Sequence, residues 1–337
     1  MKKILYIGNN LRNKKSNPSG IQTLGALLEK EGYIMYYASS KQNKVFRLID
    51  MVKSCLVLFR KIDFVLIDTY STYNFYYAFV ISQLCRMLGL AYIPILHGGN
   101  LPERIAVHPK ISRMIFNHSK CNVSPSLYLK AAFENLGYTN IEYIPNSFEI
   151  ENYPFTKRNY DGIRLLWVRS FSEIYNPKLA LKVFKSIKAK FPDADLCMIG
   201  PDSDGTLKTM QKLNDELDLN VKFPGKLNKK DWIQRSKDYN IFINTTNFDN
   251  MPVSVIEAMA LGLPVVSTNV GGIPYLIDDK STGLLVKPDD SDAMTQAILE
   301  VFENQKRSEL IINNARSHVK QFDWKHIKHK WFNILTS

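Results

Sequence analysis

The chain has little of what would mark a secreted, membrane-spanning or metal-centred protein. Its 337 residues hold four cysteines, Cys55, Cys85, Cys121 and Cys197, far apart and without a CxxC pair. That spacing argues against a zinc site or a disulfide framework and fits a reducing compartment. No apolar run reaches the ~18 residues that a membrane span needs. The opening MKKILYIGNN carries an apolar run of only about four residues, where a signal peptide needs roughly seven to fifteen. It reads as a first strand ending at Gly8. A cytoplasmic protein is expected, free or peripheral on the inner face of the membrane. With 16 glycines and 15 prolines, collagen, repeat arrays and disorder are excluded as classes.

Acidic residues are in deficit, 32 against 44 lysines and arginines, for a net charge of +12. Polyanionic partners follow: nucleic acid, anionic lipid head groups or phosphorylated small molecules. The charge is spread along the chain, with no zinc finger, RNP-like aromatic motif or Arg-rich arm. Nucleic acid is therefore not an expected partner.

What is present is an alternation. A chain of this length suggests two domains of roughly 150 residues each. Short β-branched runs at 3–8, 34–38, 63–68, 91–96, 120–123 and 141–144 read as strands. After a break they resume at 163–168, 194–199, 220–223, 240–244, 264–267 and 284–286. Helical patterns fill 20–32, 44–60, 73–88, 126–136, 177–191, 206–217, 229–237, 252–261, 291–303 and 306–321. This order predicts an α/β protein with parallel sheets, twice over. The break, SFEIENYPFTKRNYDG at 147–162, is polar and poorly periodic and reads as the linker. The expected domains are 1–150 and 151–320, with 321–337 a last helix crossing back to the first domain. Two such domains facing each other would form a cleft at the carboxyl ends of both sheets, where ligands of these folds sit.

The loops after strands are the places to search. Residues 9–24, NNLRNKKSNPSGIQTL, hold Lys14, Lys15, Ser19 and Gly20 and open a helix, which suits a phosphate. The GxGxxG fingerprint is absent, and a plain turn is the competing reading. In LHGGNLP, His97 and Gly98 could bring an imidazole and close backbone to a ligand, or form only a tight turn. Arg169 ends the strand LLWV, and Asn176 with Pro177 should cap and start the next helix. An anion site and a surface ion pair are both open for that arginine.

The stretch NFDNMPVSVIEAMALGLPVVST places Asp249 before a helix and Glu257 inside it, with Pro252 suited to the first helical position. A buried carboxylate costs several kcal/mol unless something charged or hydrogen-bonding meets it. Either Glu257 faces water, or it has a partner that local sequence does not reveal. Near the positive helix end, the two acids could hold separate hydroxyls of one ligand. Gly271 and Gly272 would let another loop approach.

FDNMPVSVIEAMALGLPVVSTNVGGIPYLIDDKSTGLLVKPDD resembles the signature of family 4 (group 1) retaining glycosyltransferases of GT-B fold. The similar features are E-x7-E, G-x-P-V-V, GG-x-x-E and a closing G-x-L-V. SNPSGIQTL, HGG, NVSPSLYLKAAFENLG, IPNSFEIENYPF, WVRSF and MIGPD extend the resemblance over nearly the whole chain, more loosely at its N-terminal end. It implies two Rossmann-like domains facing across a cleft. It implies that Glu257 accepts hydrogen bonds from a nucleotide ribose and that Asp249 holds hydroxyls of the donor sugar. Ser19, Gly20 and Arg169 would face the diphosphate, with the backbone amides of Asn250, Met251, Pro252 and Val253 around it. His97 and Gly98 would lie beside the reacting sugar, and the base near Gly200 and Gly225.

The chain departs from that pattern. The first acid of E-x7-E is Asp249, one methylene shorter. Ser19–Gly20 replaces a double glycine. Tyr175 stands where a lysine is expected, unless Lys178 or Lys14 and Lys15 substitute, and Tyr275 replaces the acid of GG-x-x-E. The implied activity is transfer of a sugar from a UDP- or GDP-sugar to a hydroxyl of a glycan or lipid-linked glycan, in bacterial surface polysaccharide synthesis. The anomeric configuration is kept. No DxD-type pair stands in a suitable loop, so no metal or other cofactor is expected. A nucleotide-sugar epimerase or phosphorylase, a non-catalytic nucleotide-sugar binder and a nucleic-acid binder stay open. In KVFRLIDMVKSCLVLFR, residues 44–60, Val45, Leu48, Val52, Cys55 and Phe59 share one stripe. That stripe would lie on anionic lipid or pack on the first sheet.

Overall fold

A computed structural model describes residues 1–11 and 19–336. Lys14 and Lys15, proposed above for a phosphate, lie outside the described residues. The chain divides into two compact units, Met1–Ser147 with Trp324–Ser337, and Phe148–Asp323.

The first unit runs β1 (Lys3–Ile7), α1 (Gly20–Lys30), β2 (Ile34–Ala38), α2 (Lys44–Leu58), β3 (Phe64–Thr69), α3 (Asn74–Met87) and β4 (Ala91–Leu96). It continues through α4 (Leu101–Val107), α5 (Pro109–Phe116), β5 (Asn122–Ser124), α6 (Leu127–Asn135) and β6 (Ile141–Tyr143). The second holds β7 (Arg164–Val168), α7 (Pro177–Lys190), β8 (Asp195–Ile199), α8 (Thr206–Glu216), β9 (Lys222–Gly225), α9 (Lys229–Arg235) and β10 (Ile241–Asn244). Then come α10 (Val253–Ala260), β11 (Val265–Thr268), β12 (Leu284–Val286), α11 (Ser291–Glu303) and α12 (Gln305–Val319). The last helix, α13 (Trp324–Thr336), belongs to the first unit.

Each unit has one parallel sheet, with the strand orders β2-β1-β3-β4-β5-β6 and β12-β11-β10-β7-β8-β9. The apolar runs suit this, because central strands covered on both faces lose all their side chains from water. Leu165, Leu166 and Trp167 of β7 are fully buried, as are Ile4, Leu5 and Tyr6 of β1. The order reverses between β1 and β3 in one sheet and between β7 and β10 in the other. At such a switch point the adjoining connections leave toward opposite faces, opening a crevice at the carboxyl ends.

All twelve expected strands form. The ninth is displaced, over 222–225 rather than 220–223, so Gly225 ends a strand. The sequence reading misses α4 and α5, which carry Pro102 and Pro109. Both prolines stand in the first turn of their helices, where the lost N–H has no intrahelical partner anyway. The helix after Pro252 begins one residue later than expected, with the proline as its extended cap. Asn176 caps α7 as expected, its side chain accepting from the Leu179 N–H at 3.2 Å, with Pro177 first in the helix.

The stripe on α2 resolves toward packing. Leu48, Val52, Cys55 and Phe59 join the core with Met51, Ile67 and Ile81. Val45 does not follow them and is exposed. All four cysteines are buried and free. No described helix is long and apolar enough to cross a membrane.

Candidate functional site

In the second unit the chemistry gathers at the switch point between β7 and β10. Arg169 follows β7 and is held there by its N–H bond to the Ile199 carbonyl, 3.0 Å. Its guanidinium forms an ion pair with Asp249, in the loop between β10 and α10. The two side chains are only 11% and 13% exposed, so the surface ion pair left open above is excluded. Tyr175 sits 3.9 Å from the guanidinium carbon to ring centroid, a cation–π contact in place of the expected lysine. Thr245 fixes that tyrosine: its hydroxyl accepts from Trp167 Nε1 at 3.0 Å and donates to the Tyr175 carbonyl at 2.9 Å. Arg169 Nε is buried and makes no hydrogen bond.

Glycines bring three further backbones in. A Cβ on Gly272 would lie 1.6 Å from the Asn250 carbonyl oxygen, and one on Gly271, at φ +53°, 2.2 Å from that of Asp249. The Gly272 N–H donates to the Asp249 carbonyl at 2.8 Å. A Cβ on Gly200 would lie 1.7 Å from the Arg169 carbonyl oxygen, and the Gly200 N–H bonds Gly225 at 3.0 Å. Gly200 thus packs against the Arg169 backbone, with Gly225 bonded beside it. Of the four expected amides, Asn250 already donates to Asp249 Oδ1 at 2.8 Å, and Pro252 has none to give. Met251 is buried and Val253 exposed. Lys178 is exposed on the first turn of α7 and takes no part in the Arg169–Asp249 pair.

Glu257 is 4% exposed, so the water-facing alternative fails. Its Oε1 accepts from the Tyr153 hydroxyl at 2.7 Å and from Lys229 in an ion pair. Burial, then the Glu257 charge, drives the Tyr153 hydroxyl well above its ordinary pKa, keeping it a donor. At the other end of α10, Arg158 donates to the Gly262 carbonyl at 3.0 Å and the Leu261 carbonyl at 2.5 Å. That cation at the negative helix end also ties the 150s segment to α10.

In the first unit a second group forms between β1, β3 and β4. Asp68, buried near the end of β3, accepts on Oδ1 from the Tyr6 hydroxyl at 3.0 Å and lies 2.8 Å from His97 Nε2. Tyr70 stacks on the imidazole, centroids 4.7 Å apart. Asp68 Oδ2 is buried without a partner. The tight turn weighed for LHGGNLP is there too, with Gly98 at φ +79°. A Cβ on Gly20 would stand 3.2 Å from His97 Cε1, so the two loops converge. Ser19 spends its hydroxyl on the Asn9 carbonyl at 3.0 Å.

Sequence reasoning missed Tyr153, Lys229 and Asp68. For Asp68 a signal existed: an acid closing the apolar run DFVLID poses the same question as Glu257. Tyr153 and Lys229 carry no local mark.

Comparison with known proteins gives the family and the fold. The chain belongs to the family Glycosyl transferases group 1, whose model matches residues 150–318, about half of it. It is 29% identical over 150 residues to the sulfoquinovosyl transferase SQD2 of Arabidopsis thaliana, a stretch covering 43% of this chain and 28% of that one. It is 27% identical over 165 residues to a GDP-mannose-dependent monoacylated phosphatidylinositol monomannoside mannosyltransferase of Corynebacterium glutamicum, covering 47% and 42%. The matched stretches thus span less than half of either relative. Among solved structures, sucrose-phosphate synthase from Thermosynechococcus elongatus aligns at TM-score 0.85 and 18% identity over 100% of this chain and 98% of that one. Anabaena HepE in complex with UDP and glucose aligns at 0.79 and 17% over the full length of both. The fold is GT-B.

Proposed function

We propose that the protein is a retaining glycosyltransferase of the family 4 type. It moves a sugar from a UDP- or GDP-sugar to a hydroxyl of a glycan or lipid-linked glycan. One observation carries the reading: the Arg169 Nε is buried at the switch point and unbonded. A guanidinium with an unused donor, beside the start of a helix, is suited to a diphosphate. Glu257 accepts from the ribose hydroxyls, which take over positions now filled by Tyr153 and Lys229. Asp249 accepts from hydroxyls of the donor sugar, and Gly200 and Gly225 leave room for the base.

Negative charge grows on the leaving diphosphate while the anomeric carbon becomes electron-poor. Arg169 and the start of α10 stabilise the former with groups already in place. The acceptor oxygen attacks from the face the diphosphate leaves, and the leaving phosphate takes its proton, so configuration is kept without a covalent nucleophile. Arg169 supplies the positive charge, and the reading assigns no role to a metal. A place in bacterial surface polysaccharide synthesis draws support from the C. glutamicum relative, a mannosyltransferase acting on a phosphatidylinositol mannoside.

Calorimetric titration with UDP, GDP and ADP and their sugars tests the reading. One diphosphate should bind, and turnover on a hydroxyl acceptor should persist in EDTA and keep the anomeric configuration by NMR. No binding by any of the three overturns the donor assignment, and an inverted product overturns retention. Free epimer or sugar phosphate released without an acceptor would mark the epimerase or phosphorylase alternative. Binding without turnover would mark a non-catalytic member.

A further inference from the structure

Helix α2 is apolar on two faces, and only one is packed. Its inner face, Leu48, Met51, Val52 and Cys55, joins the core of the first unit. Its outer face carries Phe46, Ile49 and Val57 in line, flanked by Val45 and Leu56. These five are between 48% and 66% exposed. A helix that is apolar nearly all round is expected to be covered on every side. An exposed contiguous apolar face of this kind marks an interaction surface.

Its surroundings indicate what covers it. Lys41, Lys44, Lys53, Arg60 and Lys61 are all exposed on or beside the face, against one acid in the helix, Asp50. Lys53 falls in the apolar line itself, and Arg60 follows the helix, its guanidinium carbon 5.1 Å from the Phe59 ring centroid. Lys44 lies 3.8 Å from the ring centroid of Tyr73, an exposed tyrosine at the start of α3 that extends the patch. A cavity of about 400 Å³ opens between Lys41, Phe46, Ile49, Asp50 and Lys53. Arg47 belongs to the scaffold: it is buried and donates to the Lys41 and Gln42 carbonyls and to Asn9 Oδ1, at 2.8–3.0 Å. The helix start is therefore rigidly placed.

We infer that this outer face docks on an anionic lipid bilayer. Fifteen residues span about 22 Å, too short to cross a hydrocarbon core of ~30 Å but suited to lying in the interface. The apolar line enters the headgroup–acyl boundary, while the basic side chains reach anionic head groups along their own stems. A second copy of the chain fits less well. Isologous packing of the face on itself would set five cations against five. The inference stands apart from the donor chemistry proposed above, since no residue of the Arg169 or His97 groups takes part.

Co-sedimentation with phosphatidylcholine vesicles, with and without phosphatidylglycerol, tests it at low and high salt. The full chain should bind only the anionic vesicles and leave them as salt rises. The triple variant Phe46→Ser, Ile49→Ser, Val57→Ser should lose at least ~10-fold in bound fraction at unchanged melting temperature, since these side chains touch water already. Lys53→Glu with Arg60→Glu should lose as much without altering the apolar line. UDP and GDP binding by the same variants should be unaffected, which separates this test from that of the donor site. Equal binding to neutral vesicles, retained binding by either variant, or no binding at all overturns the inference. A wild-type dimer that the triple variant turns into a monomer in sedimentation velocity also overturns it, because the face is then covered by another copy.

Discussion

The two switch points hold the same kind of feature, a buried carboxylate, and treat it in opposite ways. In the second unit each acid meets a permanent cation: Asp249 has Arg169, and Glu257 has Lys229 with Tyr153. In the first unit Asp68 meets only Tyr6 and His97, groups that can be neutral, and one of its oxygens is unbonded. On the proposed reading this charge is exchanged: an arriving diphosphate takes over the guanidinium, and arriving hydroxyls bond the carboxylates. An acid met by a phenol and an imidazole is suited instead to fixing the ring it touches. On the proposed reading, the difference separates a place that binds an anion from one that orients an imidazole.

The largest expected effect is at Arg169. Arg169→Ala removes the proposed diphosphate contact and leaves the mostly buried Asp249 charge without its cation, which should cost about 3 kcal/mol of stability. Nucleotide affinity should fall by at least ~100-fold in calorimetry. Unchanged affinity would break the reading of this switch point as the anion-binding one. Glu257→Gln comes next. It keeps the shape but weakens acceptance from hydroxyls and from Lys229, and turnover should drop about 100-fold. Wild-type turnover in that variant would show the site to be wrongly assigned.

Smaller effects sharpen the first unit's side of the comparison. In a double-mutant cycle of Asp68→Asn and His97→Gln, the two changes should couple by about 1 kcal/mol in kcat/KM, because each acts through the same bond. Strict additivity would mean that Asp68 does not hold the imidazole. The smallest effect concerns Tyr70, whose hydroxyl burial, and then Asp68, push far above its ordinary pKa of 10. A raised folded pKa contributes stability that is complete below pH 10 and is lost above it, where the unfolded chain releases that proton and the folded chain keeps it. Tyr70→Phe should therefore unfold less steeply between pH 10 and 11 than the wild type, with a constant offset below. Equal slopes in urea titrations across that range would show this ring to be hydrated.

Much of this was legible in the chain. Twelve apolar runs became twelve strands because a parallel strand covered on both faces needs an unbroken run, and few other elements do. The two helices that were missed, α4 and α5, are only 7 and 8 residues long, too short to show a clear apolar period. Among candidate site residues, Arg169, Asp249 and Glu257 stood out as charges at the ends of apolar segments. Tyr153 and Lys229 did not, lying 104 and 28 residues from Glu257 with nothing local to mark them. On α2 the periodicity found the stripe that packs inward. The outward one, with the same spacing, became visible only when burial told the two faces apart.

The sequence by itself determined the alternation of strand and helix, the family signature and the acids that needed explaining, because apolar period and turn chemistry are properties of neighbouring residues. Only the tertiary structure decided which cation or hydroxyl meets each acid. Strand order sets those pairings, and the free energy of a buried charge depends on what is close in space, whatever its distance along the chain.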